Sequence, residues 1–151
     1  MKRRDALKNS AAVLGMLMAA GLLPQAAHAA YNKSAFDAKT VAEVLKALGA
    51  SAPAESKDVT LTAPDIAENG AVVPLGAATT LPNVKQMLVL VEKNPNTLVA
   101  SFAVNDAVEA NFLTRAKLGQ SSDVYAVAIT NDGKAFYAKK EVKVTLGGCG
   151  G

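Results

Sequence analysis

The residues best placed to do chemistry stand together at the C-terminal end of this 151-residue chain: Gly147-Gly148-Cys149-Gly150-Gly151, with Cys149 the sole cysteine. Four glycines around one thiol offer no side chain to pack and little steric limit on φ and ψ. A segment of that kind gains nothing from folding onto a core, so it is expected to form a mobile arm. The glycines also keep the segment thin enough for Cys149 to enter a narrow site on another protein. A thiol supplies sulfur–sulfur bond formation, with the thiolate as nucleophile. The nearest charges, Lys143 and Glu141, lie upstream in a strand-like stretch, so activation of the thiol would come from a partner's site.

The other end of the chain indicates where this thiol works. Lys2-Arg3-Arg4 and Lys8 precede an apolar run, Ala11 to Leu23, then Pro24 and a small-x-small site at Ala27-His28-Ala29. That order is the layout of an export signal. The apolar run is 13 residues, too short to cross a bilayer of about 30 Å as a helix. Arg3-Arg4-Asp5-Ala6-Leu7-Lys8 resembles the twin-arginine export motif, with Ala6 where phenylalanine is usual. Residues 1–29 are therefore expected to be a twin-arginine-type leader cut between Ala29 and Ala30, leaving a soluble periplasmic protein.

Removing the leader changes what composition implies. The leader holds Lys2, Arg3, Arg4 and Lys8 against Asp5, a surplus of three, and the whole chain also carries a formal +3. The remainder is neutral, so the basic isoelectric point supports neither nucleic-acid binding nor an anionic membrane surface. His28, the only histidine, leaves with the leader, and Arg115 is the only arginine outside it. Without histidine there is no imidazole-based triad or proton shuttle. One thiol can form neither an internal disulfide nor an intrachain zinc site. Three tyrosines, four phenylalanines and no tryptophan make a poor stacking platform for bases, and no phosphate-binding glycine loop joins a strand to a helix. The mature chain is expected to fold without metal or cofactor and to be a carrier rather than an enzyme.

The elements that must position the thiol are legible in outline. Ser34 is a helix cap with Asp37 in the first turn; Phe36, Val41, Val44, Leu45 and Leu48 form one apolar stripe, and Gly49 ends it. Residues 30–53 thus read as one N-terminal helix and a linker. From 54 to 146 the pattern is β. Val59-Thr60-Leu61 alternates; Ala71 to Leu75 is a short strand whose Pro74 predicts an edge position. Val84 to Val91 suits a buried strand, followed by Leu98 to Val104 and Phe112 to Leu118. Val124 to Thr130 meets Ala135 to Lys139 across Asn131-Asp132-Gly133, a hairpin signal, and Val142 to Leu146 runs into the arm, residues 147–151. Short strands at this spacing predict a mainly β, immunoglobulin-like antiparallel β-sandwich with one N-terminal helix.

The terminal Gly-Gly-Cys-Gly-Gly, the leader and the β-rich middle together resemble the SoxY family, the sulfur-carrying subunits of the periplasmic thiosulfate-oxidising (Sox) system. Ile66-Ala67-Glu68-Asn69-Gly70-Ala71-Val72-Val73-Pro74 is similar to that family's pattern as well. The resemblance implies a heterodimer with a SoxZ-like subunit and a covalent sulfur adduct on Cys149. It implies that a c-type cytochrome couples thiosulfate oxidatively to the thiol, and that a hydrolase then releases sulfate and leaves a persulfide. Gly147, Gly148, Gly150 and Gly151 would be the joints of the carrying arm.

Other readings remain open on the residues alone. Cys149 would also serve a structural or adhesive sandwich through an intermolecular disulfide, or be an incidental cysteine in a frayed terminus. A carrier working through the Gly151 carboxylate would need ATP-dependent adenylation, which an exported protein lacks. Asn69-Gly70 reads as a turn. Arg115 is a solvated strand-face charge whose planar fork also suits a sulfonate. Lys139-Lys140 reads as a solvated face, able to meet an acidic partner.

Overall fold

Asn32 opens the first of two short helices: its side-chain oxygen accepts the Ala35 amide at 3.1 Å, and α1 runs Lys33–Asp37. The computed structural model describes residues 32–145, all within one compact unit. Where one helix capped by Ser34 was expected, the chain turns extended at Ala38 and restarts as α2, Val41–Ala47. Thr40-Val41-Ala42-Glu43 is the reason. The Thr40 hydroxyl accepts the Glu43 amide at 3.2 Å and the Glu43 carboxylate accepts the Lys39 amide at 2.9 Å, the reciprocal cap of a new helix start. Gly49 ends α2 as expected, at φ +68°. Its amide reaches Lys46 O, and Ala50 reaches Leu45 O at 2.9 Å, the glycine-terminated stop that an L-residue would strain.

Nine strands follow: β1 Ala54–Glu55, β2 Val59–Thr62, β3 Ile66–Ala67, β4 Val73–Thr79, β5 Val84–Val91, β6 Leu98–Ala103, β7 Asn111–Ala116, β8 Ser122–Thr130 and β9 Ala135–Val144. They form a sandwich of a six-stranded sheet, ordered β1-β9-β8-β5-β6 with β3 also on β9, and a three-stranded sheet, β2-β4-β7. The mainly β sandwich therefore stands. Its long pairings are antiparallel, while the two-residue strands β1 and β3 lie parallel to β9. The two stretches expected at 135–139 and 142–146 join into one strand, β9.

Two apolar layers account for the unbroken run in β5. Met87, Val89 and Val91 face the small sheet and pack with Val73, Leu75, Val124 and Val142, whereas Leu88 and Leu90 face the helices and pack with Val44, Leu45, Val127 and Ile129. Every one of these five β5 side chains is fully buried, so the strand has no wet face to be polar. Stacked Phe102 and Phe112, with centroids 4.4 Å apart, join edge strands β6 and β7 across the sandwich.

Pro74 corrects the expectation of an edge. β4 is the middle strand of its sheet. Proline is tolerated because β2 reaches only as far as Gly76, which pairs with Thr62. At Pro74 the strand has one neighbour, Arg115 of β7, and the missing N–H faces no ladder. The strand also begins at Val73 and continues to Thr79, since Ala71 and Val72 belong to the preceding turn.

Candidate functional site

Cys149 and its glycines 147, 148, 150 and 151 lie outside the described residues, as do Ala29 and Ala30 at the expected leader cut. What the structure defines is the root of the C-terminal segment: Lys143, Val144 and Thr145 at the end of β9. Lys143 pairs with Ile66 and Val144 with Ala67. The Lys143 amide donates to Asp65 O at 3.0 Å and the Thr145 amide to Ala67 O at 3.1 Å. On the opposite side the Val144 amide donates to Ser121 Oγ at 2.9 Å. The Thr145 hydroxyl donates to Glu68 O at 3.4 Å.

Asn69-Gly70, read as a turn, is one, and it also bears on the root. Asn69 Oδ1 accepts the Ala71 amide at 2.9 Å, a side-chain-mediated turn. Gly70 O accepts the Leu118 amide at 2.8 Å. A Cβ at Gly70 would lie 2.6 Å from Leu118 O and 2.8 Å from Val144 Cγ1. Sequence reasoning singled out this stretch only as part of a pattern and as a turn. The contribution of Ser121 and of Ala67 as backbone partners carried no sequence signal, because one hydroxyl in a loop and a two-residue strand show no periodicity.

The charged candidates are placed apart from one another. Lys140 bonds Asp65 at 2.8 Å and donates to Ala63 O at 2.8 Å, tying the segment before β3 to β9. The hydrogen bond from Lys140, and then its charge, hold the Asp65 carboxyl below the ordinary range. Lys139 pairs with Asp123 at 3.3 Å and sits 5.8 Å from the Tyr125 ring centroid; the Asp123 hydrogen bond raises its pKa. Lys139 is exposed as expected, whereas Lys140 is half-buried, and each has an acidic partner within the chain. Arg115 is exposed on the outer face of the small sheet. It borders an open groove of about 820 Å³ shared with Pro64, Pro74, Gly76 and Leu113, and Leu113 is 81% exposed. No ion pair engages Arg115 among the described residues.

The described side chains bring no three His, Cys, Asp or Glu groups together in a metal-holding cluster, and none of the described helices is long and apolar enough to cross a membrane. Fold and sequence thus define a class: an immunoglobulin-like sandwich whose sole cysteine comes after the last strand of the sheet in the sequence. The chain matches the family of the sulfur oxidation protein SoxY over residues 44–149, a stretch that ends on Cys149. It belongs to the SoxY family. Among solved structures it is similar to the sulfur carrier protein SoxY from Chlorobium limicola f thiosulfatophilum, with TM-score 0.57 and 33% identity over 62% of this chain and 84% of that one. A superoxide reductase (neelaredoxin) from Ignicoccus hospitalis shares the fold at TM-score 0.51 and 19% identity, covering 58% of this chain and 80% of that one. A putative superoxide reductase from Thermotoga maritima does so at TM-score 0.51 and 14% identity, covering 61% and 86%. No curated protein matches the chain.

Proposed function

We propose that this protein is a sulfur carrier of the Sox system, with Cys149 as the covalent attachment point and the sandwich as the body that presents it. The observation that carries the reading is the family match running through to Cys149, joined to a strand that is held in the sheet as far as Thr145, four residues before the thiol. Similarity to the SoxY sulfur carrier from Chlorobium limicola supports the same role.

In this reading the Cys149 thiolate and the outer sulfur of thiosulfate join in an S–S bond, and the two electrons released pass to a c-type cytochrome. Hydrolysis by a second partner releases the terminal sulfone as sulfate and leaves a persulfide on Cys149. The chain itself is a covalent substrate in both steps and supplies no catalytic group. It works in the periplasm, after removal of residues 1–29, as a heterodimer with a SoxZ-like subunit.

Intact mass spectrometry tests this. The mature protein, incubated with thiosulfate and the partner enzymes, should gain the mass of a thiosulfate-derived adduct, and fragmentation should locate it on Cys149. A chain that gained no sulfur, or that was recovered only as a disulfide-linked dimer through Cys149, would overturn the carrier reading.

A further inference from the structure

We propose that Ile66–Gly70 and Ser121 form a collar that fixes the point and direction at which the C-terminal segment leaves the body, with Gly70 and Ser121 as positioning residues. This rests on the reading of Cys149 as the carrying thiol. The two sides of the root are gripped by different elements. Ala67 and Asp65 accept the amides of Thr145 and Lys143 from one side, and Ser121 Oγ accepts that of Val144 from the other. The loop then has to turn away at once, which Asn69 achieves by accepting the Ala71 amide.

Gly70 is where the turn is pressed against the strand it holds. Its own carbonyl accepts the Leu118 amide, and the space a Cβ would need is taken by Leu118 O and Val144 Cγ1. Leu118 O is backbone and Val144 is a stiff, β-branched side chain. Any residue larger than glycine must therefore push the loop off β9 or off Leu118.

The consequence for a carrier is geometric. Cys149 stands four positions beyond Thr145, so the thiol lies at most roughly 14 Å from a fixed root. If Lys143–Thr145 came loose the tether would lengthen by three residues, to roughly 24 Å. For a flexible glycine-rich tether the effective concentration at a partner's entrance falls roughly as the −3/2 power of its length, so this lengthening would lower it about twofold.

The test uses the full mature chain, together with its partner subunit. Gly70→Ala and Ser121→Ala are compared with wild type by amide hydrogen exchange at Val144 and Thr145. They are also compared by the kinetics of thiosulfate loading and by the reaction of Cys149 with iodoacetamide. Exchange at Val144 should quicken about fivefold in Ser121→Ala, the worth of one neutral hydrogen bond, and more in Gly70→Ala. For Gly70→Ala the KM for the carrier should rise about twofold with kcat unchanged, and the small reagent should react at the wild-type rate. Unchanged exchange at the root in both variants would overturn the collar. So would faster exchange with an unchanged KM, or a fall in kcat alone. If Gly70→Ala did not fold, Ser121→Ala would decide by exchange at Val144 and Thr145, unchanged exchange overturning the collar. Exchange at the root does not depend on what Cys149 carries. A failed collar therefore leaves the carrier reading standing, and a Cys149→Ser protein that still supported thiosulfate oxidation would strike only that reading.

Discussion

The two ends of β9 are held in opposite ways. At its start the strand leaves a local hairpin. Gly133 sits at φ +82°, the Thr130 and Lys134 backbones close the turn at 3.0 Å, and the Asp132 carboxylate ties Thr130 and Lys134 together. Everything needed lies within five residues. At its end the same strand is held by groups more than twenty positions away, at Ala67 and Ser121, mostly through backbone atoms. A hairpin of the first kind serves stability. An assembly of the second kind holds a strand to its last residues, as the proposed collar requires.

Substitutions at the two ends should therefore separate function from stability. The largest effect is expected from Cys149→Ser, which should abolish thiosulfate-dependent sulfur loading because a hydroxyl cannot form the S–S bond. The melting temperature should stay unchanged, since the glycine-rich sequence around Cys149 offers no side chain to pack and a substitution that removes no packing alters stability by no more than about 0.5 kcal/mol. Gly133→Ala should do the reverse. Its new Cβ would meet only Gly49 O, at an ordinary 3.6 Å, so the cost is the left-handed backbone, about 1 kcal/mol. Denaturant titration should show that loss while loading continues at the wild-type rate. If Gly133→Ala slowed loading as much as it lowered stability, the division between the ends would be wrong.

A second probe of stability alone lies in the packed body. Thr97, at the start of β6, donates its amide to Ala38 O at 3.2 Å and accepts the Val91 amide at 2.9 Å. Yet its buried hydroxyl has no hydrogen-bond partner. Thr97→Val keeps the shape and removes an unsatisfied polar group, so it should raise stability by about 1 kcal/mol. Loading should be untouched, because the substitution leaves both of these backbone bonds in place. A loss of stability on chemical denaturation would mean that the hydroxyl is engaged after all.

The same contrast explains what was legible in the sequence. Val84–Val91 and the Asn131-Asp132-Gly133 hairpin were readable because their information is local: an apolar run long enough to be buried on both faces, and a turn tripeptide. The SoxY resemblance was readable because the terminal motif around Cys149 is contiguous. The collar was not, since β1 and β3 are two-residue strands fixed only by their register on β9. The split of the N-terminal helix was missed although Thr40-Val41-Ala42-Glu43 announces it; the apolar stripe continues through the break because Ala38 and Val44 face the same layer. Pro74 misled because a strand can be central in its sheet and still lack a neighbour at one residue.

The smallest expected effect tests whether the hairpin's acid contributes as its surroundings imply. The hydrogen bond from Thr130, and then those from Lys134, depress the Asp132 pKa to about 2, below the usual carboxylate value near 3.9. A depressed folded-state pKa favours the folded state wherever the carboxylate is ionised in both states, above the unfolded value. That contribution is lost as pH falls through the folded value. Stability should therefore decline between about pH 4 and pH 2, and in Asp132→Asn this part of the decline should vanish while the rest of the profile keeps its shape. Because the group is exposed, the difference should be small and should shrink further in added salt. Urea midpoints measured across that window in both proteins would show it. A variant whose midpoint fell as steeply as the wild type's would place the acid sensitivity elsewhere, and the hairpin would then rest on Gly133 and its backbone bonds alone.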